Sequence, residues 1–132
     1  MKVIYDTYAL YHQGGGFEQS VFDPAGHSVT RSVRLLELLR ESIGLPKTGR
    51  MLDIGYGNGS TLQAFGRMAR HWELCGTELD EKNREMVRAL PGVVELYTSP
   101  PPEVPGQFDL ITMIHVLEHV PSPEDFLRSL CK

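Results

Sequence analysis

The sequence is poor in the features that would mark several large protein classes. Its 132 residues hold only two cysteines, Cys75 and Cys131, far apart and matching no zinc or redox spacing. Cys75 lies in an apolar run and is expected as a reduced core residue. Basic residues are not in excess: 13 Lys and Arg face 17 Asp and Glu, for a formal charge of -4. That balance argues against a nucleic-acid partner, which usually demands a basic face. No apolar run is long enough to cross a bilayer, and the first residues show no signal-peptide pattern. The expectation is a cytoplasmic protein with no membrane partner. There are no internal repeats, and no low-complexity tract beyond Pro100-Pro101-Pro102. No catalytic triad is evident.

What is present suits one globular domain. The hydrophobic fraction of 41% supports a core. Residues 1–23 are aromatic and glycine-rich, and residues 24–132 carry the periodic pattern of a folded domain. Asp23-Pro24 predicts a helix start. Val29, Val33, Leu36, Leu39 and Ile43 follow as a helical stripe that Gly44 and Pro46 terminate. From Arg50 strands and helices alternate. Strands are predicted at Met51–Ile54, Trp72–Leu79, Val93–Tyr97 and Phe108–Ile114. Helices are predicted from Asn58, over Glu81–Leu90, and from Ser122-Pro123, where serine caps and acids face the positive helix end.

Apolar strands alternating with helices mean a parallel sheet covered on both faces. With right-handed crossovers, the prediction is an α/β, doubly wound, Rossmann-like fold of strand order 3-2-1-4. The later strands of that fold are missing. The fourth strand therefore becomes an apolar edge, which points to a truncated domain or to a homodimer formed through the unpaired edge.

The chemistry gathers at the end of the first parallel strand, Asp53-Ile54-Gly55-Tyr56-Gly57-Asn58-Gly59. A strand-to-helix turn puts backbone at the carboxyl edge of the sheet, where ligands of doubly wound folds bind. The dinucleotide fingerprint needs its third glycine one position later, at Ser60, so a nicotinamide-dependent oxidoreductase is the weaker reading. A buried carboxylate at Asp53 needs a partner, either a ligand ammonium group or the loop's own amides. Roughly 20 residues on, Gly76-Thr77-Glu78-Leu79-Asp80 supplies an acid for ribose hydroxyls. Glu78 is preferred over Asp80, which also suits a helix cap, because Gly76 leaves room for a ligand.

His115-Val116-Leu117-Glu118-His119 also spells the inverted zinc-peptidase pattern. That chemistry needs a continuous helix and a third ligand, whereas this segment follows a strand and is interrupted by Pro121 and Pro123. No metal is expected. His115 is read as a ligand neighbour. His119 and Glu118 are read either as structural hydrogen-bonders or, with His115, as bases toward an acceptor. His27 and His71 are read as surface residues. Tyr5, Tyr8 and Tyr11 share a helix face, either packed on the sheet edge or first helix or forming a lid hinged at Gly14–Gly16, with Tyr11 and His12 entering the substrate pocket.

Taken together, Asp53-Ile54-Gly55-x-Gly57-x-Gly59, Gly76-x-Glu78, Phe108-Asp109-Leu110-Ile111 and His115–Val120 resemble the class I S-adenosylmethionine-dependent methyltransferases. The likeness is to the small-molecule type 11 or type 23 group and covers about residues 50–131. It implies S-adenosylmethionine as cofactor and a small-molecule methyl acceptor. It also implies that Asp53, Gly55, Tyr56, Gly57, Asn58 and Gly59 meet the methionine part of the cofactor. Glu78 would hold the ribose, with Leu79 also at the cofactor, and Thr98 or Ser99 would meet the adenine in place of the family's aspartate. Ile114 and His115 would line the pocket near the sulfonium, with His115 and His119 as candidate catalytic residues. A cofactor-binding module without catalysis is the alternative.

Overall fold

The computed structural model describes residues 19–131. Two short strands, β1 (Ser20–Phe22) and β2 (Ser28–Thr30), form an antiparallel hairpin. Helix α1 (Arg31–Ile43) follows directly. Then come β3 (Gly49–Ile54), α2 (Ser60–Met68), β4 (Trp72–Thr77), α3 (Arg84–Arg88), β5 (Val93–Tyr97), β6 (Leu110–Met113) and α4 (Pro123–Leu130).

The hairpin corrects the reading of Asp23-Pro24 as a helix start. The side chain of Asp23 accepts the His27 amide at 2.8 Å, and its carbonyl accepts the Gly26 amide at 2.9 Å. An aspartate followed by proline initiates a turn as readily as a helix. Here the β-branched Val21 and Val29, directly opposite one another, decide for the hairpin. The helical stripe therefore starts eight residues later than Asp23, at Arg31. It ends as expected, with Gly44 left-handed and its amide on the Arg40 carbonyl. The hairpin runs through positions 23 and 24. The aromatic segment at Tyr5, Tyr8, Tyr11 and His12, and the Gly14–Gly16 hinge, lie outside the described residues.

The parallel sheet has the order β5-β4-β3-β6, the expected 3-2-1-4 counted from its first strand. Met51 pairs with Leu74 on one side and Leu110 on the other; Leu52 pairs likewise with Cys75 and Ile111. Because side chains alternate along a strand, each such row supplies one face of the sheet. Met51 and Leu74 pack with Leu36 of α1 and Leu62 and Phe65 of α2. Leu52, Ile54 and Cys75 pack with Phe126 and Leu130 of α4 on the opposite face. The ring of Phe65 meets Trp72 edge-on, 5.1 Å between centroids. Both faces are covered, as a continuous apolar strand such as Met51–Ile54 requires.

Asp109 fixes where β6 enters. Its carboxylate accepts the Arg50 amide and its own amide reaches the Arg50 carbonyl, both at 2.8 Å. This staple sets the β3–β6 register three residues before Asp53, and so brings Thr112 opposite Asp53. The serine before α4 behaves differently from its expected role. Ser122 donates its hydroxyl to the Asp125 carboxylate at 2.6 Å rather than accepting a helix amide.

Candidate functional site

The strand ends of β3, β4, β5 and β6 share one edge, and the predicted site residues gather there. The turn from β3 to α2 needs three left-handed residues, and glycine supplies each: φ is 72° at Gly55, 51° at Gly57 and 80° at Gly59. Gly55 donates to the Thr77 carbonyl at 2.8 Å, which ties the turn to the end of β4. A side chain at Gly57 would meet nothing within 4 Å, so open space lies over the middle of the loop. Asn58 uses its carboxamide oxygen to accept the Ser60 amide and hydroxyl, opening α2.

Glu78 and the loop meet directly. One carboxylate oxygen of Glu78 accepts the Gly57 amide at 3.3 Å; the other accepts the amides of Leu79 and Asp80 at 2.8 and 3.3 Å. Glu78 thus bridges the two strand ends. Asp80 instead accepts the Lys82 amide at 2.9 Å and shapes the turn toward α3, whose cap position falls to Asn83 and not to Asp80 as the sequence suggested. Leu79, 64% exposed, stands on the rim beside Glu78. Asn83 donates to the Gly57 carbonyl at 3.3 Å and holds the loop from the α3 side.

Two residues sit otherwise than the sequence suggested. Tyr56 turns its ring away from the loop into the core, where it is 4% exposed. Only its backbone stays with the loop. The space at Gly76 belongs to that ring and not to a ligand: a Cβ at Gly76 would lie 2.5 Å from the Tyr56 ring. Burial pushes the Tyr56 phenol up, and among the described residues its hydroxyl has no hydrogen-bond partner.

Asp53 is 3% exposed at the end of β3. Its one hydrogen bond among the described residues comes from the Thr112 hydroxyl on β6, at 2.7 Å. It does not cap the loop amides, the alternative that the sequence left open. Burial, opposed by the Thr112 bond and aided by the nearby Glu78 charge, pushes the carboxyl up to about 7. A buried acid with one partner retains unused acceptor positions.

The adenine-side candidates lie after β5. Thr98 is exposed, and the Ser99 carbonyl accepts the Thr77 hydroxyl at 2.6 Å, which fixes that loop to β4. After β6, Ile114 is half-buried and His115 is exposed, with a left-handed φ of 57°, the one such non-glycine among the described residues. The turn lies against the glycine loop, since a Cβ at Gly55 would be 3.0 Å from the Val116 side chain. The Nδ1 of His115 is 3.0 Å from Glu118, and its Nε2 is hydrogen-bonded to Arg31 from the start of α1. The Glu118 carboxyl is held below its ordinary value by its own backbone amide and by His115. His119 ends the 3-10 turn Leu117–His119, its amide on the Val116 carbonyl. This is a strand end and a short turn, not the continuous helix of a zinc peptidase.

Sequence reasoning missed Thr112, Asn83 and Arg31. Thr112 offered a signal, as the single hydroxyl in the apolar run Leu110–Met113. Asn83 and Arg31 offered none, because only the packing of α3 and α1 brings them to the loop and to His115.

A family model described as a methyltransferase domain matches residues 27–132. The ubiquinone biosynthesis O-methyltransferase of Bordetella avium is 31% identical over 102 residues, 71% of this chain and 42% of that protein. Its namesake from Aeromonas salmonicida is 34% identical over 89 residues, 61% of this chain and 37% of that protein. The chain thus spans about 42% of the length of the first of these curated relatives. Among solved structures, coclaurine N-methyltransferase bound to N-methylheliamine and SAH superposes with a TM-score of 0.62 at 20% identity, over 75% of this chain and 30% of that one. An amino pentose methyltransferase from Micromonospora echinaspora, solved with SAM bound, gives 0.58 at 20% identity, over 75% of this chain and 43% of that one. These likenesses agree in the fold, and the match of the family model to residues 27–132, on which every described element of the parallel sheet lies, shows that the chain belongs to the class I methyltransferase-domain family.

Proposed function

We propose that this chain binds S-adenosylmethionine at the carboxyl edge of the sheet and belongs to an enzyme that methylates a small molecule. The observation that carries the reading is the junction of Glu78 with the glycine loop. A carboxylate bonded to the Gly57 amide stands beside the open space over that glycine. Bare backbone and an acid at adjacent strand ends suit a ligand with a ribose and a charged tail.

In this reading Gly55, Gly57, Asn58 and Gly59 pass beneath the methionine part of the donor, and Tyr56 contributes only backbone. Asp53 takes the donor's ammonium group, which would occupy its unused acceptor positions and offset the cost of ionising it. Glu78 holds the ribose, with Leu79 at its side, and Thr98 and Ser99 flank the adenine. Ile114 closes the floor near the reacting sulfur. The donor supplies an electrophilic methyl group, so the protein's part is to align and desolvate the reactants. His115 is placed to take a proton from an acceptor, with His119 one turn beyond it as the second candidate. A second copy of the chain would pair along the outer edge of β6.

Calorimetric titration tests the donor. S-adenosylhomocysteine is expected to bind and NAD is not; the reverse result rejects the proposal. Glu78→Ala is expected to weaken S-adenosylhomocysteine by roughly 1–3 kcal/mol through lost charged hydrogen bonds. An unchanged affinity removes Glu78 from the ribose. Binding with no turnover on any acceptor would favour a cofactor-binding module.

A further inference from the structure

Arg31 opens α1, beside the end of β6, and among the described residues no carboxylate answers its charge. Among the described residues its side-chain partners are Gln19 Oε1, at 3.5 Å, and His115 Nε2. Both are neutral acceptors when the imidazole is unprotonated. Among the described residues the acid beside His115 is otherwise engaged. Glu118 bonds His115 Nδ1 at 3.0 Å.

The two contacts of His115 select one form of the ring. A carboxylate on Nδ1 requires a hydrogen there, and a guanidinium on Nε2 requires a lone pair there. Only the neutral Nδ1–H tautomer satisfies both. His115 is held in this geometry by a left-handed backbone that a histidine adopts at a cost, a feature that clusters at functional sites. The Nε2 nitrogen, the atom able to take a proton, is thus covered by a cation.

We propose that Arg31 is a specificity residue for an acceptor bearing an anionic oxygen group, parked on His115 Nε2 until that group arrives. Three observations converge on this. Among the described residues Arg31 has no anionic partner. It stands against the turn that packs on Gly55, and therefore beside the place assigned to a positively charged donor. A bidentate carboxylate or a phosphate is the partner that a guanidinium prefers over a neutral imidazole nitrogen. When such a group draws Arg31 away, Nε2 is uncovered and Glu118 still orients the ring. Recognition of the acceptor and exposure of the base become one event. Glu118 is then a positioning residue. The proposal rests on the donor-site reading only for where the sulfur lies.

Long-range proton–nitrogen correlation NMR on the full chain tests it without turnover. The spectra are taken at about pH 8, above the ordinary imidazole range. The wild type should show the Nδ1–H tautomer at His115. Arg31→Met should shift the population toward the Nε2–H form. Benzoate, as a probe anion, should move the His115 Nε2 resonance in the wild type and leave it unmoved in Arg31→Met. Phenylmethanol, its neutral counterpart, should do nothing in either. Should Arg31→Met fail to fold, Arg31→Lys keeps the cation and should keep a weaker benzoate response. S-adenosylhomocysteine affinity should stay within about twofold of the wild type in either variant. An Nε2–H tautomer in the wild type, a wild-type ring indifferent to benzoate, or a tenfold loss of S-adenosylhomocysteine affinity would each overturn the proposal. The last outcome would assign Arg31 to the donor while leaving the donor-site reading standing.

Discussion

At about pH 8 the Asp53→Asn protein is expected to unfold at a distinctly higher temperature than the wild type, while near pH 4 the two unfold together. The carboxyl ordinarily ionises near 3.8 and in the fold is pushed up to about 7. A group whose folded pKa is raised binds more protons folded than unfolded between those values. Its stabilising contribution is therefore complete below about 4 and is lost as pH rises through about 7. At about 1.4 kcal/mol for each unit, a rise of roughly three units corresponds to about 4 kcal/mol at most. The amide of asparagine carries no charge to desolvate and can still accept the Thr112 hydroxyl. Removing the whole penalty would raise the melting temperature by on the order of 10 °C in a chain of this size. Thermal unfolding followed across this range checks it, and parallel pH profiles for the two proteins would refute it. Function should move the other way. A ligand ammonium stabilises the ionised carboxyl, so wild-type affinity for S-adenosylhomocysteine should rise through about pH 7, whereas the Asn variant should bind about tenfold or more weakly with no such rise. Stability given up at Asp53 in the free protein is thus the expected counterpart of donor binding.

Gly76→Val is expected to destabilise the fold by about 3 kcal/mol, the upper end of the usual overpacking range. The first atom added would lie 2.5 Å from the Tyr56 ring and 3.1 Å from Leu96, in a central strand that cannot shift without disturbing both neighbours. The same collision predicts a rescue. Tyr56→Ala opens a cavity on its own, and that cavity is where the valine methyls would go. The double variant should therefore be more stable than the sum of the single effects requires, by roughly 1–3 kcal/mol of coupling energy. Denaturant unfolding of the four proteins measures it. Strict additivity would mean that Gly76 serves something other than the tyrosine ring. Tyr56 links the glycine loop to the core, so the loop's shape depends on a side chain that never faces the ligand.

Local signals carried the sequence reading a long way. Apolar runs at Met51–Ile54 and Val93–Tyr97, with Gly44 and the glycines of the β3–α2 turn, placed strands and turns nearly where they lie. Such signals act within a few residues, through alternation, chain reversal and positive φ, and so are written in consecutive letters. They also sufficed for the sheet order, because the crossover rule leaves few arrangements. At the strand edge they pointed to Asp53, the glycine loop and Glu78, which the fold does bring together.

The remaining assignments depended on contacts between distant segments. Asp23-Pro24 was ambiguous between turn and helix until Val21 met Val29 across the hairpin. The space at Gly76 looked like room for a ligand because nothing in the local letters says which way Tyr56 turns. Thr112 became the partner of Asp53 only through the register that Asp109 sets with Arg50. The sequence by itself determined that a glycine turn follows the first parallel strand and which acid stands across from it. Tertiary structure alone decided that Tyr56 is core, that Asp53 is buried with Thr112 as its single partner among the described residues, and that Arg31 covers His115. Burial and pairing are properties of what surrounds a residue, and those surroundings come from parts of the chain that no short window contains.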